Sequence, residues 1–201
     1  MNKKINISII GTRGYPYVYS GYETFVKQLS ERLVLKNCNV TVYCHKGLFE
    51  IRPKEIKGIK LVYIPTIETK ILSQPIHSFL SIIHACFSNT DVLLVVNSAN
   101  GPFGLLTKLF RIPTAINVDG LEWLRPKWKG LGSIYFKWAS KMATLFYDQI
   151  INDSDEMRKV YLNLFKIDYK VIAYGADIRK SKNPELINKW NLKQREYYLI
   201  I

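Results

Sequence analysis

The chain has 201 residues, 48% of them hydrophobic, and a formal net charge of +13. That length and apolar content describe a globular chain with one good core and room for the start of a second domain, which excludes a disordered polyelectrolyte. The charge calls for a polyanionic neighbour, whether nucleic acid, a membrane surface or phosphorylated substrates.

The chain opens on a short apolar run, Ile5 to Ile10, too brief for a helix and rich in β-branched residues, which predicts a strand buried on both faces. A loop punctuated by Gly11, Gly14 and Gly21 follows, with Pro16 stiffening the turn between them. Tyr22, Phe25, Val26, Leu29 and Leu33 then recur at helical spacing, with Glu23 in the first turn, where the helix dipole favours an acid. Strand, glycine loop and helix in this order place backbone N–H groups at the carboxyl edge of a strand, where anionic ligands are commonly held. The order is G-x-x-G rather than G-x-G-x-x-G, and the second strand, Asn39 to Cys44, ends in Cys44-His45 instead of an acidic ribose contact. A phosphorylated ligand is expected; NAD is not.

Beyond the second strand the reading continues through a polar, basic connection from Arg52 to Lys57, a strand over Ile59 to Ile64 and a helix over Gln74 to Phe87. A buried strand over Asp91 to Val96 leads to the polar loop Asn97 to Pro102, a short helix from Pro102 to Phe110 and a strand over Thr114 to Val118, closed by Asp119-Gly120. A helix over Leu131 to Tyr147, a strand over Gln149 to Ile151, a helix opening at Ser154 and a strand over Lys170 to Ile172 follow. Strands alternating with helices predict an α/β fold with a Rossmann-like, doubly wound parallel sheet over residues 1–176. Residues 177–195 are polar and lysine-rich, with Asn183-Pro184 as a helix-starting turn, and read as a linker. Tyr197 to Ile201 then reads as a fresh strand, which predicts that residues 196–201 begin a second domain.

Cys38, Cys44 and Cys86 are widely spaced and lack C-x-x-C, as suits free thiols in a reducing compartment. The first apolar run is too short for a signal peptide, and no window holds about 18 uninterrupted apolar residues, so a cytoplasmic protein is expected. His77 and His84 share a helix face without a nearby third ligand and are read as packing or cleft residues, so no metal is expected.

In an open α/β sheet ligands bind outside the carboxyl ends of the strands. Those ends carry Arg13 and Tyr15, Asn97 and Asn100, Asp119, Glu122 with Trp123, Asn152 with Asp153, and Tyr174 with Gly175. Asp119 could accept a proton or bind a hydroxyl, and equally could cap the turn before Gly120. Asp153-Ser154, followed by Asp155 and Glu156, reads as a helix cap. Between Trp123 and Lys141, lysines interleave with Trp128, Tyr135 and Trp138, which suits an anionic membrane interface, though the aromatics could equally face the core. No nucleic-acid motif accompanies the charge, and nucleic acid is not expected as a partner.

I-I-G-T-R-G-Y-P at Ile9 to Pro16, S-G-Y-E-T-F at Ser20 to Phe25, N-V-D-G-L-E-W-L-R-P-K-W at Asn117 to Trp128, N-D-S at Asn152 to Ser154 and Y-G-A-D at Tyr174 to Asp177 resemble the amino-terminal half of bacterial glycosyltransferases of family 4. Within that family the likeness is to the rhamnosyltransferase-like enzymes of capsule and exopolysaccharide synthesis. It implies the N-terminal half of a GT-B fold, in which this domain holds the acceptor, a second domain holds the nucleotide sugar, and the sugar is transferred with retention. Gly11 to Gly14 and Ser20-Gly21 would face the donor diphosphate and the acceptor. Relatives carry His-Gly where this chain has Asp119-Gly120; a carboxylate there could orient a sugar hydroxyl or stabilise developing positive charge.

With the strand-end reading, the expected substrate-binding set is Gly11, Arg13, Gly14, Tyr15, Ser20, Gly21, Glu23, Asn97, Asn100, Glu122, Trp123, Tyr174 and Gly175, with Asp119 as the catalytic residue. The expected partners are a nucleotide sugar, used as substrate with no separate cofactor, a lipid-diphosphate-linked saccharide acceptor and the anionic inner face of the plasma membrane. Alone, the chain is expected not to transfer sugar. Two other classes stay open at this point: a free-standing peripheral membrane or lipid-carrier binding module, and a nucleotide-dependent epimerase or reductase.

Overall fold

The computed structural model describes residues 4–67, 69, 72–118, 120–176, 178, 183–193 and 195–198. Eight strands form one sheet: β1 (Asn6–Ile10), β2 (Asn39–His45), β3 (Glu55–Ile56), β4 (Ile59–Ile64), β5 (Val92–Val96), β6 (Thr114–Val118), β7 (Gln149–Asn152) and β8 (Lys170–Val171). The helices are α1 (Gly21–Leu35), α2 (Ser73–Cys86), α3 (Gly104–Leu109), α4 (Leu131–Phe146) and α5 (Asp155–Phe165). Shorter 3-10 turns lie at Lys46–Leu48, Ser98–Phe103, Glu122–Leu124 and Pro184–Trp190.

The sheet order is β3-β4-β2-β1-β5-β6-β7-β8, parallel throughout except for the β3/β4 pair. With the hairpin strand β3 set aside, this is the winding of a Rossmann-like sheet, and its direction reverses between β1 and β5. Both faces are covered. On one, Ile9, Val40, Val42, Ile59, Leu61, Leu94 and Val96 pack with Val26 and the apolar stripe of α1. On the other, Ile10, Tyr43, Leu93, Val95, Ile116, Val118 and Ile150 pack with Ile82, Phe136, Ala143 and Tyr161. Burial on both faces is why β5 reads as an unbroken apolar run and β1 as a largely apolar one, each fully buried Ile, Leu or Val contributing about 1.5–3 kcal/mol.

The connection from Arg52 to Lys57 is not wholly irregular. Glu55 and Ile56 pair antiparallel with Lys60 and Ile59 across a two-residue turn, in which Lys57 and Gly58 both have positive φ, 52° and 76°. A strand of two residues is too short to show any periodicity. The helix expected from Pro102 starts instead as the 3-10 turn Ser98–Phe103 and becomes α-helical only at Gly104. Tyr197 and Tyr198 lie outside any strand, and the remainder of the strand expected there, residues 199–201, falls outside the described residues.

Two glycines set how closely the layers approach. A Cβ on Gly11, whose φ is +108°, would lie 2.3 Å from the Val96 carbonyl oxygen, so only glycine lets the first loop cross directly over the end of β5. A Cβ on Gly101 would lie 1.9 Å from the Ala139 carbonyl oxygen, which places the 3-10 turn backbone directly against α4. Gly101→Ala is therefore expected to destabilise by about 3 kcal/mol or more through forced separation of these layers. Gly21→Ala, with nothing within 4 Å of the added carbon, is expected to be neutral or stabilising by up to about 1 kcal/mol. Chemical unfolding of the two variants checks this; equal losses would show that the contact at Gly101 is not what spaces the helix.

Candidate functional site at the carboxyl edge of the sheet

At the point where the winding reverses, the loops after β1 and β5 meet. The Arg13 carbonyl accepts the His45 N–H at 3.0 Å, and the Asn100 side-chain amide donates to the Val96 carbonyl at 2.7 Å, beside Gly11. Gly14 packs tightly against Cys44 and Phe49. Tyr15 turns inward and is 1% exposed; its hydroxyl donates to Glu31 at 2.8 Å, and Lys57 reaches the same carboxylate oxygen at 3.1 Å. These partners, the Tyr15 hydroxyl first, hold the Glu31 carboxyl below its ordinary range. Tyr15 thus locks the loop to α1 instead of facing the rim.

Glu23 supplies the decisive contact of this loop. It is 4% exposed, and its carboxylate accepts from the Arg13 N–H at 3.1 Å, from the Ser20 N–H at 2.9 Å and from the Ser20 hydroxyl at 2.5 Å. Two of the N–H groups expected to cradle a phosphate are held by the protein's own anion. The Arg13 guanidinium stands 3.9 Å over the Tyr19 ring, and Gly21 has open space around it.

The next strand ends continue the rim. Asn97, with φ of 77°, accepts the Ala99 N–H through its side chain at 2.9 Å, and its own N–H reaches the Asn117 carbonyl at 3.0 Å. The Asn100 carbonyl takes the Tyr147 hydroxyl at 2.9 Å. Tyr174 donates to the Asn117 side chain at 2.8 Å while its ring lies 5.0 Å from Phe25, which joins the segment after β8 to β6 and α1. Gly175 has nothing within 4 Å of its would-be Cβ. Glu122 gathers the following loop, accepting the Trp128 indole N–H at 2.8 Å, Arg125 at 2.9 Å and Lys127 at 3.7 Å. Trp123 is buried with its ring 6.1 Å from Tyr161, and its carbonyl takes the Ser133 hydroxyl at 2.7 Å. Asp119 falls outside the described residues.

Sequence reasoning missed a set of buried polar atoms along this edge. Among the described residues, Thr12 Oγ1, Ser98 Oγ, Asn117 Nδ2, Asp153 Oδ1 and both amide atoms of Asn152 are buried without a hydrogen-bond partner. Each such group costs about 1–3 kcal/mol if left unmade. Their residue types were visible, but lack of a partner is a tertiary property that no spacing announces. Two pockets, of about 310 and 340 Å³, lie instead near the amino ends of β7 and β8 and of β1 and β2, the edge at which open α/β sheets do not bind ligands. Among the described residues no group of three His, Cys, Asp or Glu could hold a metal ion, and no helix is long and apolar enough to cross a membrane.

Helix α4 divides its aromatics. Tyr135 turns inward, its hydroxyl donating to the Ala99 carbonyl at 2.8 Å, whereas Trp138 is 48% exposed on a face shared with Leu131, Ile134, Lys137, Lys141 and Leu145. That helix carries no Asp or Glu.

A family model described as a domain of unknown function, DUF1972, matches residues 4–177. The chain belongs to the DUF1972 family. No curated protein sequence matches it. Among solved structures, this DUF1972 chain is similar to a sucrose-phosphate synthase of Thermosynechococcus elongatus, at 15% identity and a TM-score of 0.57, covering 86% of this chain and 90% of that one. Arabidopsis thaliana UGT89C1, complexed with UDP-L-rhamnose, matches at 14% identity and a TM-score of 0.52, covering 94% of this chain and 55% of that one. A UDP-glucosyltransferase of Polygonum tinctorium capable of glucosylating indoxyl matches at 12% identity and a TM-score of 0.54, covering 96% and 57%. The DUF1972 chain thus spans little more than half the length of the last two, and its fold is that of the Rossmann-like domain of GT-B glycosyltransferases.

At the end of β2 in the DUF1972 domain, His45 stacks on His77 with ring centroids 3.8 Å apart and planes 21° from parallel, both fully buried. Burial, and then the neighbouring His45, push the His77 imidazole down to about 3, with the Cys44 backbone opposing the shift. The unfolded chain takes up this proton below about pH 6.5, whereas the folded chain refuses it until about pH 3, so folding stability falls as pH drops through that window. The expected loss from this group is about 1.4 kcal/mol per pH unit. In His77→Phe, which keeps a stacked ring, unfolding free energy measured from pH 7 to 5 should lose that share of its slope; superimposable profiles would remove His77 as the source.

Proposed function

We propose that this domain is the acceptor-binding half of a glycosyltransferase that moves a sugar from a nucleotide donor to a lipid-diphosphate-linked saccharide in surface polysaccharide synthesis. The observation that carries the reading is the run of polar groups at the carboxyl ends of β1, β5, β6 and β7, in a fold shared with GT-B enzymes. A rim of that chemistry suits sugar hydroxyls. The glycine loop, with its N–H groups on Glu23, offers a diphosphate chiefly the Arg13 guanidinium and the open backbone at Gly21. The nucleotide would then be held mainly by a facing domain, as the resemblance to family 4 implies, and the sugar transferred with retention. Rhamnose is the donor sugar that this likeness favours, and Asp119, which follows Val118 in the sequence, is the residue assigned to the reacting sugar.

The exposed apolar and lysine face of α4, free of acids, supports docking on an anionic bilayer, where a lipid-linked acceptor resides. Lys127 is drawn to Glu122, so the lysines available to lipid are Lys129, Lys137 and Lys141.

The test is transfer from a panel of nucleotide sugars to lipid-diphosphate acceptors in anionic and neutral vesicles, by this chain and by the chain extended through its downstream reading frame. Transfer by the extended protein alone, with the donor's anomeric configuration kept, is expected. Asp119→Ala should lower turnover by about 100-fold or more with little change in melting temperature. Replacing Lys129, Lys137 and Lys141 by Gln should weaken anionic-vesicle binding about 100-fold, at about 1 kcal/mol per charge. Transfer by neither protein, or an unimpaired Asp119 variant, would contradict the respective assignments.

A further inference from the structure

Helix α2 carries its faces the wrong way round for a helix between a sheet and water. The residues it buries are His77, Ser78, Ser81, Ile82 and Ala85, whereas Phe79, Leu80 and, just past its end, Phe87 are exposed. A solvated amphipathic helix turns its large apolar side chains inward. The next two helices repeat the inversion. α3 buries Gly104 and Thr107 and exposes Leu105 and Leu109. α4 buries Ala139, Ser140 and Ala143 with Phe136, and leaves Leu131, Ile134, Trp138 and Leu145 outside. All three lie on one face of the sheet, where Ile82, Leu106 and Phe136 join the same core. Phe87 meets Phe110 at 5.0 Å, Phe79 meets Phe103 of the preceding 3-10 turn at 5.7 Å, and Lys108 of α3 donates to the Leu145 carbonyl of α4 at 2.9 Å. The exposed apolar side chains thus belong to one surface across three adjoining helices, not to scattered positions.

Resting on the bilayer docking proposed for α4, we infer that the outer faces of α2, α3 and α4 are a single membrane surface, held in the bilayer boundary by buried apolar side chains and not by charge alone. Charge selects the occupant. None of the three helices carries Asp or Glu, while Lys108, Arg111, Lys137 and Lys141 are exposed on or beside them. A second copy of this face would bring like charges together, whereas anionic head groups neutralise them. α5, packed on the same side of the sheet, gives the contrast: outside it pairs Arg158 with Asp168 and Lys159 with Glu156, as a face kept in water does. With 14 residues α2 is about 21 Å long, and it lies in the plane of the interface instead of crossing the bilayer. The strands then run parallel to the bilayer, and their carboxyl ends open sideways above the head groups.

The test is cosedimentation of the 201-residue chain with vesicles of phosphatidylcholine containing phosphatidylglycerol, in low salt and in about 1 M sodium chloride, where charge is screened within about 3 Å. Binding should persist in the high salt. Phe87→Ser and Leu109→Ser, at side chains 77% and 69% exposed, should each weaken it about tenfold or more, while the melting temperature without lipid moves by no more than about 3 °C. Binding lost in high salt and unchanged in both variants would overturn the apolar surface and leave docking through the α4 lysines standing. No binding under any condition would overturn both. A dimer in sedimentation equilibrium that either substitution splits, with vesicle binding unchanged, would overturn the inference and give this face to a second copy.

Discussion

A single buried carboxylate governs the entrance to the site. Glu23 takes the Arg13 and Ser20 N–H groups at 3.1 and 2.9 Å, and in doing so ties the middle and the end of the glycine loop to the first turn of α1. The same carboxylate sits where the helix dipole is most favourable to an anion. Electrostatics that in a dinucleotide-binding sheet would hold a pyrophosphate here hold a side chain. The loop is consequently a fixed wall. Gly11 lays it across β5, Tyr15 anchors it to Glu31, and Arg13 is left with its guanidinium outward over Tyr19.

With that wall in place, the chemistry of the rim falls to the ends of β5, β6 and β7. There the apolar runs stop and amides and hydroxyls take over: Ser98, Asn117, Asn152, with Asn97 and Asn100 spent on shaping the turn between them. Groups that shape a loop and groups that wait for a partner are distinguishable by their hydrogen bonds, not by residue type. Asn100 has its partner in Val96, while Asn152 has none among the described residues. The rim is thus fixed by its own hydrogen bonds at some positions and left unpaired at others.

Much of the fold was legible because a sheet covered on both faces leaves the apolar run Leu93 to Val96 and largely apolar stretches at Ile7 to Ile10 and Thr114 to Val118, and because α1 carries a clear 3.6-residue stripe. The hairpin strand Glu55–Ile56 was not, since two residues carry no period and their pairing depends on the turn at Lys57 and Gly58. At the site the polar strand ends were legible as positions, and their roles were not. Glu23 looked like a favourable first-turn acid, yet its bond to Arg13 depends on the path that Gly11 allows over β5. His77 was paired by helical spacing with His84, whereas the sheet brings it against His45, and His84 meets the Tyr43 hydroxyl at 3.0 Å instead. Contacts between residues distant in sequence carry these roles, and spacing along one helix cannot report them.

The structure rests on a glycine loop already occupied by its own anion, with the Arg13 and Ser20 N–H groups held by Glu23 rather than open to a phosphate. Titrating the 15N-labelled chain with inorganic pyrophosphate and following the backbone amides of Arg13 and Ser20 tests it most directly. Those two signals should stay in place at pyrophosphate concentrations that move the half-buried Arg13 side chain, and should shift in Glu23→Gln, where the internal charge is gone. Displacement of both amides in the unaltered chain would show that the loop is a phosphate cradle after all.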